Sequence, residues 1–272
     1  MKNEVFDFGR FWNYFKYDLV QMWRNHSKPA LFIGGMELLL YMVWVLMALV
    51  FTGKWQGPVL GARIAVFVIA FTVLELYQTR TYGYLTDPRK GAAWLMVPAS
   101  KLEKFVSMLL ITLIVIPVVF LVVFFAVDSI LSLVDPTVGN SILGVGVNGV
   151  QEMLNGMAAI SGSSLIHFSA GTMIWIWIVG FVANFLYFLL CGICFKRYKI
   201  LGGLGIIFLL SIILSIVMSA TVPAWSENLV YLEEEQAVNF VAATFNWAIG
   251  ITSALAVGEA VGIYYRIKTL KH

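Results

Sequence analysis

The chain has 272 residues and a formal net charge of +3; 60% of it is hydrophobic and only 12% charged, with a mean hydropathy of +0.87. This leaves room for one membrane domain and none for a sizeable soluble domain, so any soluble catalytic function has to come from another polypeptide. The small positive balance sits beside apolar runs, where it reads as a topology signal and gives no case for a nucleic-acid partner.

Residues 1–28 hold many charges and lack the apolar core and cleavage site of a secretory leader, so they are expected to stay attached. Within them Phe8, Phe11, Trp12, Phe15, Leu19, Met22 and Trp23 recur at three- and four-residue steps, with Asp7, Arg10, Asn13, Asp18, Gln21 and Arg24 largely elsewhere on the wheel. That pattern predicts an amphipathic helix lying flat among lipid headgroups. Residues 29–272 then form the membrane domain. Its apolar runs fall at roughly 29–52, 61–82, 105–127, 170–194, 200–220 and 240–265, each near the 20 residues a helix needs to cross about 30 Å of hydrocarbon. The expected fold is all-α: a polytopic membrane protein with six transmembrane helices and an N-terminal amphipathic interfacial helix.

Three acids interrupt these runs, Glu37 in span 1, Glu75 in span 2 and Glu259 in span 6. At about 1.5 Å per residue each lies roughly 10–12 Å from the basic end of its span. An intramembrane polar cluster is expected from that shared depth, with Arg80, five positions after Glu75, as a partner. A structural cluster, the lining of a transport path and a proton-coupled role all fit. Cys191 and Cys194 form a CxxC in span 4, but a closed zinc site needs four ligands and His26, His167 and His272 are scattered, so both cysteines read as packing residues and no metal is expected. In span 6, Gly250, Ala254, Gly258 and Gly262 recur every four residues, a ridge for close helix packing either within one subunit or across a dimer seam.

Sixteen of the 18 Lys and Arg residues lie before span 1, after span 2, after span 4 or in the tail; the opposite side has only Lys54 and Arg63, beside Asp135, Glu152, Glu227 and Glu233 to Glu235. Basic residues near span ends stay in the cytoplasm, which puts both termini there. On the acidic side, residues 128–169 are an extracytoplasmic segment rich in Gly and Ser with a short helix expected near 150–160, and residues 221–239 are expected to form a helix or hairpin before span 6.

The most specific stretch lies in the connection 83–104: YLTDPRKGAAWLMVPASKLEKF, from Tyr84 to Phe105. Asp87 caps a short helix with Pro88 at its first position. Trp94 to Val97 supply an apolar knob, Pro98 breaks it, and Ser100 with Glu103 forms a capping box before span 3. Framed by Arg89, Lys90, Lys101 and Lys104, the knob calls for a partner.

This segment and the six-span plan resemble the type-2 family of ABC transporter permeases, which carry an amphipathic helix before span 1 and a Leu-Pro-x-Ser-Arg-x-Glu-like sequence before span 3. Pro98, Ser100, Lys101 and Glu103 match, with Val97 for the usual Leu and Lys101 for the usual Arg. The resemblance implies that Asp87 to Val97 docks on a separate ATPase subunit and that two permease subunits, identical or related, form the pathway in a bacterial inner membrane, with export the expected direction. One departure is the long segment between spans 3 and 4, since the family more often elaborates the outside between spans 5 and 6. The chain has no G-x-x-x-x-G-K-[ST] loop, so ATP and Mg would be bound by the partner and no cofactor is expected here. Two other readings stay open: a membrane-embedded enzyme using Glu37, Glu75, Glu259 and His167, and a noncatalytic scaffold or sensor.

Overall fold

The computed structural model describes residues 6–146, 148, 170–230 and 234–270. Its principal elements are α1 (Phe8–Gly34), α2 (Met36–Thr52), α3 (Leu60–Thr81), α4 (Pro88–Met96), α5 (Lys101–Leu110), α6 (Ile116–Val134), α7 (Ala170–Cys194), α8 (Lys199–Val230) and α9 (Glu234–Thr269). No strand occurs among the described residues. Five helical stretches are long and apolar enough to cross a membrane: Leu60–Thr86, Lys101–Val134, Trp175–Cys194, Lys199–Ile216 and Ala243–Thr269. Large apolar side chains stay exposed along them, among them Val68, Val122, Trp177, Phe208 and Val261. Such a surface suits lipid tails and not water, and helices satisfy their own backbone groups there.

The first apolar run departs from expectation. No boundary falls at residue 28: α1 continues through Pro29 to Gly34, and the break comes at Gly35. The amphipathic stripe is divided between two tasks. Phe11, Tyr14, Asp18 and Met22, at steps of three, four and four, are buried against the other helices, while Phe8, Trp12 and Trp23 face outward. Helix α2 has 17 residues and buries only Glu37 and Val45.

Helix α1 and the start of α2 run antiparallel to α3. At one end the Tyr82 hydroxyl donates to Asp18 Oδ2 at 2.9 Å, and at the other Arg63 Nε donates to Glu37 Oε1 at 3.3 Å. The two pairs are 19 residues apart along each of the two helical segments. Helices α5 and α6 complete the unit, since Ser107 Oγ donates to Asp18 Oδ2 at 2.7 Å and Asp128 of α6 pairs with Arg63. Two polar layers therefore close the ends of an apolar three-helix core. Its centre is aromatic: Phe67 meets Phe124 edge-on at 5.1 Å between centroids, and Phe71 sits 5.9 Å from Phe185 of α7.

A π turn at Ile111–Val115 joins α5 to α6. Pro117 at the start of α6 has no N–H and crowds the carbonyl four residues back, at Leu113, so a wider turn there relieves the clash. Helix α7 lies against α3 at Gly192, where the Thr79 backbone takes the space of a side chain. Ile263 and Ile267 of α9 pack with Leu189 and Ile193 of α7. Helix α8 is held near its start, the Tyr187 hydroxyl donating to Gly203 O at 2.8 Å, and beyond this Phe208, Leu209, Ile213 and Leu214 are exposed. Residues 221–230 prolong α8 and 234–239 open α9, so this stretch extends two helices and does not form a separate one. The helix expected near 150–160 lies outside the described residues.

Candidate functional site: the basic end

Four basic side chains at one end of the bundle tie its elements together, two of them by bonding the last carbonyls of a helix, which have no partners within that helix. Lys104 Nζ donates to the carbonyls of Trp94 and Leu95, at 2.8 and 3.2 Å, closing the end of α4. Lys101 Nζ donates to Lys268 O at the end of α9, at 2.7 Å. Lys199 of α8 donates to Gly83 O and, at 2.8 Å, to Thr86 Oγ1 just before α4. Arg10 of α1 forks onto Glu103, its Nε at 2.8 Å from Oε2 and a terminal nitrogen at 2.7 Å from Oε1.

Glu103 is the hub of this end. Its Oε2 accepts from Ser100 N–H at 2.8 Å while Ser100 Oγ accepts from Glu103 N–H at 3.1 Å, the capping box expected from the spacing. The same carboxylate accepts from Asp7 N–H at 2.9 Å. One fully buried acid thus fastens the starts of α1 and α5 together. Sequence spacing revealed the Ser100 partner because it is three residues away; Arg10 is 93 residues away and left no local signal.

Helix α4 begins as expected. Asp87 Oδ1 accepts from Arg89 N–H at 2.9 Å and from Lys90 N–H at 3.3 Å, with Pro88 in the first turn. These bonds hold the exposed Asp87 carboxyl below its ordinary range, helped by the Lys90 and Arg89 charges. The apolar knob is rearranged. Trp94 is only 5% exposed, packed with Tyr82 and Leu85 under Lys104, whose Nζ stands 4.7 Å from the ring centroid. Met96, 82% exposed, is the apolar side chain that α4 presents outward.

The three membrane acids do not meet. Glu37 belongs to the opposite end, where Arg63 binds both it and Asp128 and donates to Val138 O at 3.0 Å and Asn140 O at 3.1 Å. All three charged side chains are fully buried. Glu37, in the first turn of α2, is held in the far polar layer with Arg63 and Asp128. Arg63 and Asp128 were missed as site residues, although an Arg three residues into one apolar helix and an Asp inside another are a visible pair of anomalies. Glu75 faces the Asn184 amide in an apolar groove of about 650 Å³ between α3 and α7, beside Phe67, Phe71, Trp177 and Phe181. Glu259 has one carboxylate oxygen without a hydrogen-bond partner among the described residues. Arg80 turns to a separate cavity at the basic end.

On the α9 ridge, Gly250, Ala254 and Gly258 are exposed, and a side chain at Gly262 would meet Leu190 of α7 at ordinary contact distance. Cys191 is buried and Cys194 exposed, both as free thiols. His167 lies outside the described residues. Comparison with family models, curated proteins and solved structures finds no match to the chain.

Proposed function

We propose that this chain is the membrane-spanning permease subunit of an ATP-driven transporter of the type-2 ABC kind, working in export from a bacterial inner membrane. The observation that carries the reading is the Glu103 hub: the Pro98, Ser100, Lys101, Glu103 motif ties α5 and the N-terminal helix into one piece directly beside α4. In this reading six helical stretches cross the bilayer, the sixth being the apolar run 29–52, made of the last residues of α1 and all of α2, and the basic end with both termini faces the cytoplasm. A separate ATPase binds ATP and Mg and docks on α4, where Met96 and the rim charges Arg89 and Lys90 are offered. Closure of an ATPase pair pushes α4; buried Trp94 passes the displacement to the end of α3, and Glu103 passes it to α1 and α5. A second permease subunit completes the pathway, and the exposed Gly250, Ala254, Gly258 ridge supplies a surface for close helix approach.

The test is co-purification of tagged protein after crosslinking in native membranes. A nucleotide-binding subunit is expected with wild type, reduced capture with Met96→Asp, and retained capture with less transport per ATP for Glu103→Gln. Recovery of no ATPase with wild type would overturn the proposal in favour of a scaffold.

A further inference from the structure

At the basic end a cavity of about 590 Å³ lies between α1, the end of α3 and α4, lined by Tyr17, Gln21, Asn25, Arg80, Tyr84 and Lys90, with the apolar face of α4 as its floor. Among the described lining residues none is acidic. Of the acids closest in sequence, Asp18 is buried and accepts from Tyr82 and Ser107, and Asp87 caps α4 by accepting from Arg89 N–H and Lys90 N–H. The cavity therefore offers a guanidinium, an ammonium, two phenols and two carboxamides. That set matches a compact anion with several acceptor oxygens, and a guanidinium fork fits two oxygens of a phosphate at once. The volume falls in the range of roughly 300–1,000 Å³ usual for small-molecule sites.

Its height in the molecule narrows the ligand. The cavity opens beside the Asp18–Tyr82 layer that ends the apolar core, and its α1 wall belongs to the helix that carries the exposed Trp12, Tyr17 and Trp23. Aromatic side chains of this kind mark the headgroup level of a bilayer, and basic pockets at that level attract anionic lipid. We propose that this cavity binds a phosphate group between Arg80 and Lys90, supplied by the headgroup of an anionic phospholipid. The bound phosphate bridges the end of α3 to α4, so lipid occupancy stiffens the α4 segment. The site requires only the membrane-embedded fold and stands whether or not the chain couples to an ATPase.

The test uses the purified full chain, titrated with phosphatidylglycerol or with diacylglycerol of the same acyl chains, with bound lipid counted by native mass spectrometry. Wild type should retain phosphatidylglycerol over diacylglycerol. Arg80→Gln and Lys90→Gln should each weaken retention about tenfold, the scale of one charge-assisted hydrogen bond. Arg89→Gln, the same charge loss on the same helix but outside the cavity lining, should change it less than about twofold. Lys90 is exposed on α4, so its variant carries the test even if Arg80→Gln fails to fold. A second arm adds inorganic phosphate at millimolar concentration, which should not displace the lipid. Displacement with the same dependence on Arg80 and Lys90 would keep the phosphate site and overturn its lipid source. Equal loss from Arg89→Gln, or equal retention of the two lipids, would overturn the site itself.

Discussion

Arg63 is held by acceptors from three segments, and its single positive charge answers two carboxylates with no access to solvent. Breaking such a set by removing one member typically costs about 3–5 kcal/mol, since an uncompensated charge stays buried. Arg63→Leu leaves Glu37 and Asp128 facing each other and should lower the thermal midpoint in detergent by that order of stability. Glu37→Gln keeps the shape and an acceptor while removing the surplus negative charge, so it should cost about 1 kcal/mol or less. A second acid, Asp135, behaves differently. Burial pushes its carboxyl up, but bonds from Thr137, Trp55 and Tyr41 outweigh this and hold it at about 2. A carboxyl depressed in the folded state stabilises above its unfolded value near 3.9, and that contribution is lost as pH falls from there to about 2. Trp55 Nε1 donates to Asp135 at 2.9 Å, so a tryptophan emission change is expected between about pH 4 and 2, absent between pH 7 and 5 and missing throughout in Asp135→Asn.

Helices and their caps differ in how far the sequence announces them. Asp87 with Pro88, and Ser100 with Glu103, were legible because their partners lie within three residues. The continuity of α1 across residue 28 was not, because Pro29 resembles a helix opening and the charged residues before it resemble a separate segment; the helix runs on to Gly34, with Phe11, Tyr14 and Met22 buried along it. Trp94 was misplaced outward for a related reason: an apolar residue between charges reads as exposed until a lysine ten positions later folds over it. The α3–α7 contact was also silent, since nothing distinguishes Gly192 from other glycines in sequence. Any side chain there meets the Thr79 carbonyl, a rigid backbone atom. Gly192→Ala should force the two helices apart at a cost of about 1–3 kcal/mol, measured as a loss of midpoint temperature, whereas Gly250→Ala meets open space and should not lower it.

At the scale of the molecule, the charge asymmetry was the most legible feature, and the fold gathers Arg10, Lys101, Lys104 and Lys199 at one end as expected. What the sequence did not reveal is that Lys101 and Lys104 also close helix ends and that Arg10 and Lys199 tie neighbouring elements together, tasks that depend on which acceptors the tertiary fold brings near. If that end faces the cytoplasm, Ser100→Cys should resist a membrane-impermeant thiol reagent added to intact cells, while Ser141→Cys near the Arg63 end should react. The two polar layers carry a further consequence. Asp18 to Glu37 and Arg63 to Tyr82 each span 19 residues, and Ser107 to Asp128 spans 21, which sets the layers about 28–31 Å apart. Three helices cross-tied at both ends cannot tilt independently, which removes one of the ways a helical bundle adapts to bilayer thickness. A bilayer that does not match the apolar surface of this tied unit must itself thin or thicken, at a fraction of a kcal/mol per Å. Thermal stability measured across a series of acyl-chain lengths should therefore peak at the matching thickness, and Arg63→Leu, which unties one end, should flatten the peak.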